Sequence, residues 1–141
     1  MGSYFMRQPE TEAQRWLAQA ESDLAFAEVG VREGFPAQAC FICQQAGEKA
    51  LKGLHYRRGD RIVLGHSLVE LLRDLRESHS RLSDVVDAAR QLDQYDIATR
   101  YPNGLPGGIP AEAFTERQAT EALAFASQLV AAARAILGGT T

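Results

Sequence analysis

The chain has 141 residues, which fits one domain with a core of its own, and its 45% hydrophobic content is ordinary for a globular protein. The formal net charge is −3, so any site for nucleic acid or another anion must be a local basic patch. Two cysteines cannot make a disulfide framework. The composition therefore excludes a disordered chain, a disulfide scaffold and a globally basic nucleic-acid binder.

The N-terminus lacks the charged and apolar regions of a signal peptide, and no apolar run approaches the roughly 20 residues that span a bilayer. We therefore expect a cytoplasmic protein. Residues 1–141 are predicted to form a single domain, with residues 1–10 as a flexible N-terminus.

Apolar residues at three- and four-residue steps predict a first helix from Thr11, as its N-cap, to about Val31. Gly34-Phe35-Pro36 interrupts this pattern, and Pro36 suits the first turn of a second helix. That helix is predicted to continue to about Arg58, where Gly59-Asp60 ends it. The apolar stripe of the first helix comprises Trp16, Leu17, Ala20, Leu24, Ala27 and Val31.

Ser67 and Glu70 have the spacing of a capping box, which predicts a third helix ending near Glu77. A fourth helix is predicted from Ser83 to about Thr99. Residues 102–110 contain three prolines and three glycines and are therefore predicted to form a loop. A final helix is predicted from Ala111 to Leu137. Since no segment alternates like a strand, we predict an all-α, up-and-down bundle of about five helices.

The Cys40-x-x-Cys43 pair could indicate a redox or metal site. It lies inside a predicted helix, and no second pair completes a zinc site. We therefore interpret both cysteines as buried core residues and expect no bound metal or cofactor.

Polar residues of the second helix recur at helical spacing, and Glu48 and Lys52 form an i,i+4 pair in the favourable order. This face can be a solvated surface or part of a binding site. Basic residues continue beyond it in greater number than the helix dipole requires, which indicates a phosphate-binding patch. These residues are Lys52, His55, Arg57, Arg58, Arg61 and His66.

Near the end of the fourth helix, Asp96 and Arg100 can form an ion pair, and Tyr101 follows directly. In one interpretation Tyr101 stacks on a base while Arg100 meets a phosphate. In the other, this is an ordinary ion-paired helix end with a packed tyrosine.

Four places in the sequence resemble the HEPN family (higher eukaryotes and prokaryotes nucleotide-binding domain). Together they extend over most of the chain, from about Trp16 to Leu137. They are Trp16-Leu17 with Ala20 and Asp23-Leu24; Ala39-Cys40-Phe41 through Glu48-Lys49-Ala50-Leu51-Lys52; His66-Ser67-Leu68 with Leu71-Leu72; and Thr99-Arg100-Tyr101-Pro102.

The resemblance implies an up-and-down bundle, a homodimer, and a small nucleotidyltransferase as partner in a toxin–antitoxin or defence module. Many family members are RNases that use an Arg and a His separated by four to six residues. Here Tyr-Pro-Asn-Gly-Leu-Pro follows Arg100, and no His occurs after it. Arg61 and His66 have such a spacing, but chance accounts for it in a chain with 13 arginines. The chain resembles the nucleotidyltransferase-associated branch with an Arg-Tyr-Pro motif.

Our leading hypothesis is a HEPN protein that binds a nucleotide or RNA phosphate, with weak or no catalytic activity. The predicted ligand-binding residues are Glu48, Lys52, His66, Arg100 and Tyr101, with Glu48 orienting Lys52. The alternatives are a metal-independent endoribonuclease toxin, with His66 and Arg100 as catalytic candidates, and a non-catalytic dimeric adaptor.

Overall fold

The computed structural model describes residues 8–138, which form six α-helices and no strand, as the prediction of an all-α bundle requires. Two 3-10 helices complete the described elements. In chain order these are α1 (Pro9–Glu33), α2 (Pro36–Arg57), α3 (Leu68–Leu75), a 3-10 helix (Ser80–Val85), α4 (Val86–Asp93), a 3-10 helix (Pro102–Gly104), α5 (Pro110–Ala113) and α6 (Glu116–Leu137).

Helix α1 begins two residues before the predicted start. Pro9 occupies the first turn, where its fixed φ suits a helix and its missing N–H is not needed, and Gln8 is the N-cap without a side-chain bond. The prediction of Thr11 as N-cap is therefore wrong. Pro9 and Glu10 are helical although they fall in the predicted flexible N-terminus, and residues 1–7 lie outside the described part. At the other end Gly34 adopts φ 88°, which favours glycine, and donates its N–H to Gly30.

Three other helix ends differ from the sequence prediction. Helix α3 is capped by Ser67 as predicted, but it ends at Leu75 rather than near Glu77. The segment predicted as one helix from Ser83 to Thr99 is a 3-10 helix followed by α4, which ends at Asp93 in tight turns. The predicted final helix is divided into α5 and α6.

Thr115 explains the division of the final helix. Its hydroxyl accepts the backbone N–H of Gln118 at 3.0 Å, and its own N–H donates to the Gln118 side chain at 2.9 Å. This reciprocal capping box begins α6 at Glu116, so the chain between α5 and α6 is not helical.

Helix α2 lies at the centre of the bundle, and 14 of its 22 residues are buried. Small side chains allow its neighbours to approach closely. A Cβ at Gly47 would lie 2.7 Å from Leu68 Cδ2 and 3.1 Å from Leu129 Cδ1, so α3 and α6 both pack directly on this position. The largest side chains of the surrounding core are Leu51, Leu54, Leu68, Leu72, Leu75, Leu82, Leu92 and Leu129.

Side-chain contacts of two kinds join α1 to α2. Lys49 Nζ lies 2.5 Å from Asp23 Oδ2, and the rings of Trp16 and Tyr56 stack with centroids 5.3 Å apart. The antiparallel α1–α2 pair is therefore held by an ion pair near its middle and an aromatic pair near its open end.

Helix α6 is long and apolar enough to cross a membrane, judged by its 22 residues and mean hydropathy of 1.2 alone. This differs from the sequence analysis, which found no such run. Core helices of globular proteins pass the same test, and α6 contributes much of the core here. Its buried residues are Ala119, Ala122, Ala126, Leu129, Val130, Ala133, Ile136 and Leu137.

Both cysteines lie on the buried side of α2, unpaired and fully enclosed, as predicted. Burial disfavours the thiolate and raises the pKa of each thiol from 9.0 to about 12. Between pH 9 and pH 12 the two thiols ionise more readily in the unfolded chain than in the folded one. The buried cysteines therefore contribute stability that is fully present below pH 9 and is lost as pH rises toward 12.

We therefore predict slow labelling of Cys40 and Cys43 by a thiol reagent at pH 8, with a rate that rises steeply in denaturant, since only an opened chain offers a thiolate. Mass spectrometry over time measures the rate. Rapid stoichiometric labelling of the native protein, or one zinc per chain by elemental analysis, would contradict the interpretation.

Candidate functional site

A buried carboxylate organises the polar residues of the bundle. Glu48, on α2, has a side chain that is only 7% exposed, and the ammonium group of Lys52, 9% exposed, lies 3.2 Å from its Oε2. The Gln44 amide donates to Oε1 at 3.4 Å, and Nδ1 of His66 lies 3.2 Å from the same oxygen. A carboxylate this deeply buried requires such partners, because an uncompensated buried charge is very costly.

His66 differs from the other members of this group because its side chain is 69% exposed. With Glu48 ionised, its oxygens only accept, so Nδ1 of His66 carries a hydrogen and donates. In the neutral ring this leaves Nε2 as an acceptor, and in the protonated ring Nε2 becomes a second donor. The site can therefore present either a base or a cation to a ligand.

The backbone on both sides of His66 is fixed. The Gln44 amide donates to the His66 carbonyl oxygen at 3.0 Å, so one side chain of α2 holds both Glu48 and the loop. Gly65, immediately before, adopts φ 96°, a conformation that a side chain would strain. The imidazole is thus placed by a glycine turn and a buried amide.

Asp93 fixes the residues that follow His66. Its carboxylate accepts the Leu68 N–H at 2.7 Å, the Val69 N–H at 3.2 Å and the Ser67 hydroxyl at 3.0 Å. These are donors at the N-terminus of α3, where a negative charge is also favoured by the helix dipole. The end of α4 is thereby attached to the start of α3, one residue from His66.

Arg100, which follows α4 in the chain, is a second positively charged residue of the candidate site. Its Nε donates to the Asp96 carbonyl oxygen at 2.7 Å and its Nη2 to Asp96 Oδ1 at 3.1 Å. Its guanidinium lies over the Phe41 ring, 4.5 Å from the centroid, and 5.0 Å from the centroid of Tyr101. The predicted Asp96–Arg100 pair is confirmed, and Tyr101, which is exposed, supports the guanidinium.

The predicted site residues thus form two groups rather than one. Lys52 and His66 both contact Glu48, whereas Arg100 contacts Phe41 and Tyr101. Phe41 and Glu48 are seven residues apart on α2, two helical turns or about 10 Å along one face. Arg100 donates to Asp96, and no bond to His66 is found within residues 8–138.

The predicted basic patch is not continuous, because most of its cations are paired with other residues of the same chain. Arg57 pairs with Glu10 at 3.0 Å, and Arg58 pairs with Asp60 at 3.0 Å. The Arg58 hydrogen bond holds the pKa of the Asp60 carboxyl below its usual value. His55 is buried, with Nδ1 facing Asp60 at 3.0 Å and Nε2 facing the Leu71 carbonyl at 2.8 Å.

Sequence reasoning missed three residues of the site. Gln44 could have been found, because it precedes Glu48 by four residues, the spacing at which two side chains meet on one helix face. Phe41 was noticed only as part of a motif, and nothing in helical spacing pairs it with Arg100. Asp93 lies 25 residues from Leu68, a distance at which no local signal exists.

Within residues 8–138, no group of three or more His, Cys, Asp or Glu side chains could hold a metal ion. The side chains of the site offer an imidazole held by a carboxylate, and a guanidinium beside two aromatic rings.

The fold and the site define an all-α bundle protein whose central helix carries a buried carboxylate beneath an exposed histidine. The HEPN domain model matches residues 13–136, and the chain belongs to the HEPN domain family. A comparison with curated proteins yields no match.

Solved structures with the same fold include TT1696 from Thermus thermophilus, with 44% identity, a TM-score of 0.82, and coverage of 87% of this chain and 96% of that one. The archaeal HEPN homologue ST0689 has 32% identity and a TM-score of 0.75, with 94% and 99% coverage of the two chains. The HEPN domain protein TM0613 from Thermotoga maritima has 27% identity and a TM-score of 0.70, with 88% and 98% coverage.

We predict that Asp93→Ala lowers the free energy of unfolding by about 1–3 kcal/mol, since it leaves buried donors at the start of α3 without a partner. Urea denaturation measures the change. Asp87→Ala is the matched control: Asp87 lies on the same helix with a 93% exposed side chain, and its pair with Arg90 is worth about 0.2–1 kcal/mol. Equal losses in the two variants would show that Asp93 is an ordinary surface carboxylate.

Proposed function

We propose that the chain binds the phosphate of a nucleotide or of single-stranded RNA, and that it acts with a small nucleotidyltransferase in a toxin–antitoxin or defence module. The observation that carries the binding proposal is the exposed imidazole of His66 above the buried Glu48–Lys52 pair. Arg100 supplies the second phosphate contact, and Tyr101 supports it.

Each residue has a distinct role in this proposal. Lys52 neutralises Glu48, and Glu48 holds Nδ1 of His66 so that Nε2 meets the phosphate as a donor. Arg100 has unused donors on Nη1 for a charge-assisted bond, while its other bonds to Asp96 limit its movement. Lys52 is too enclosed to contact a ligand, so its contribution is indirect.

The partner enzyme rests on the family alone. A nucleotidyltransferase reading frame found beside the gene would support this part over a purely structural adaptor.

One observation favours the ribonuclease alternative: a carboxylate that holds Nδ1 of a histidine leaves Nε2 as a general base. Against it, Arg100 is bound to Asp96 and lies beside Phe41, and no contact between Arg100 and His66 is found among residues 8–138. We therefore propose binding without cleavage.

We predict that a short labelled single-stranded RNA binds at low salt, and that log affinity falls with log salt by about 0.7 for each phosphate contact. His66→Ala and Arg100→Ala should each weaken binding by about 1–3 kcal/mol and reduce the slope by one contact. Fluorescence anisotropy at several salt concentrations measures both. Arg90→Ala is the control, since Arg90 has the same kind of surface ion pair at 3.1 Å.

Absence of binding at low salt, or binding unchanged in both variants, would overturn the phosphate site and leave the adaptor. Cleavage of the RNA in chelator, abolished in His66→Ala while binding persists, would replace this proposal with the ribonuclease. Both outcomes are visible in the same samples when the labelled RNA is also run on a denaturing gel.

We also propose a two-fold homodimer, and the exposed apolar surface of the protein supports this proposal. Among residues 8–138, no large apolar side chain of α6 is exposed. Three of the exposed ones, Phe26, Val29 and Phe35, line a 350 Å³ groove between the end of α1 and the start of α2. This Phe35 groove is lined chiefly by Phe26, Val29, Gly30, Phe35, Ala39 and Ile42.

A continuous apolar surface of this kind on one protein is typical of a binding face, and a second copy offers an identical one. We predict a mass near twice 15.4 kDa by light scattering at micromolar concentration, and a monomer for Val29→Asp and Phe35→Asp. Leu64→Asp, at an exposed leucine outside the groove, should leave the dimer intact. A monomeric native protein would exclude the dimer.

A further inference from the structure

A second cavity, of 510 Å³, lies between the start of α2 and the loop before α5. Its size is within the range of small-molecule sites, about 300–1,000 Å³. Its walls are chiefly apolar, and among the described residues Arg100 is the one charged side chain that lines it. We call it the Arg100 cavity. The residues that matter below are Phe26, Gln38, Phe41, Arg100, Ile109 and Ala111.

Aromatic and aliphatic side chains on both sides of the cavity favour a flat apolar occupant. Phe26 comes from α1, Phe41 from α2, and Ile109 from the loop, so three separate segments converge on it. Ile109 is exposed and lies outside the Phe35 groove, so the proposed dimer does not account for its exposure. Planar rings stack on such surfaces with little dependence on their identity.

Three polar side chains line the cavity; the Thr99 hydroxyl is bonded to the Tyr95 carbonyl, and the other two suit the remaining parts of a nucleotide. Arg100 uses Nε and Nη2 for Asp96, and its Nη1 has no partner within residues 8–138, which leaves it available for a phosphate. The Gln38 amide likewise forms no hydrogen bond with any other described residue. An amide both donates and accepts, so it can meet the polar edge of a base.

We propose that the Arg100 cavity binds a nucleobase of single-stranded RNA, with the adjoining phosphate on Arg100. The inference rests on the proposed phosphate-binding function and names the ligand more closely. Arg100 lines this cavity and His66 does not, so a strand that offers successive phosphates can meet both residues while one base occupies the cavity. The ligand is therefore a strand rather than a mononucleotide, with one base inserted beside Phe41.

The test compares a short labelled single-stranded RNA with an abasic strand of the same length and phosphate number. The native protein should bind the RNA about tenfold more tightly, because stacking of one base is lost in the abasic strand. Ile109→Ser, which removes one wall, and Ala111→Trp, which fills the cavity, should reduce this ratio toward one while binding of the abasic strand stays unchanged. Ile97→Ser is the matched control, since Ile97 is equally exposed but lines neither cavity.

The outcomes separate this inference from the function on which it rests. Equal binding of the two strands by the native protein would overturn the base site and leave the phosphate site standing, whereas failure of both to bind would overturn both. An RNA preference that survives Ile109→Ser and Ala111→Trp would place the base elsewhere. Conversion of a native dimer to a monomer by these two changes would assign the cavity to the second copy instead.

Discussion

The buried carboxylate of Glu48 is the constraint on which the site depends. A charge this enclosed is stable only with its partners in place, and those partners come from two regions: Gln44 and Lys52 from α2, and His66 from the loop before α3. Removing one partner leaves the others with an unbalanced charge, so the group acts as a unit and single substitutions in it are not additive. In the loop from Gly59 to Ser67 this group fixes His66, whereas Asp60 is held by His55 and Arg58, and Ser67 by Asp93.

The order of the helices followed from local signals in the sequence. Gly34 and Pro36 mark the first turn correctly because each has a backbone property that no other residue shares. The cap at Ser67 and the Glu48–Lys52 pair act within one turn of a helix, and both are confirmed. The start of α6 could also have been predicted, because Thr115 and Gln118 have the spacing of a capping box. The prediction of one continuous helix did not take this spacing into account.

The composition of the site could not be predicted in the same way. Glu48 and His66 are 18 residues apart, and their contact exists only because the loop returns along α2. The basic residues after Lys52 illustrate the opposite error. Their closeness in sequence indicated one patch, yet Arg57 is paired with Glu10 on another helix. A run of basic residues in a sequence does not by itself predict a basic surface, because the acidic residues that pair with it can come from distant parts of the chain.

Arg100 lies where the polar and apolar parts of the surface meet, between its partner Asp96 and the cavity that contains Phe41. Its side chain is 36% exposed, so a bond to an anion there is partly screened by solvent. The neighbouring rings also hold the guanidinium plane, which reduces the entropy lost when a ligand binds.

The close packing at Gly47 has a consequence for how this protein can be altered. Because α2 is buried over most of its length and carries Glu48, Lys52 and Phe41 besides, nearly every position on it is committed to the interior or to the site. A library of variants that seeks a new ligand preference would lose most of its members if it were directed at this helix. The segments 59–67 and 94–109 border the same side chains and hold most of the exposed positions near them. They are the regions in which diversity can be introduced at the smallest cost in folded protein.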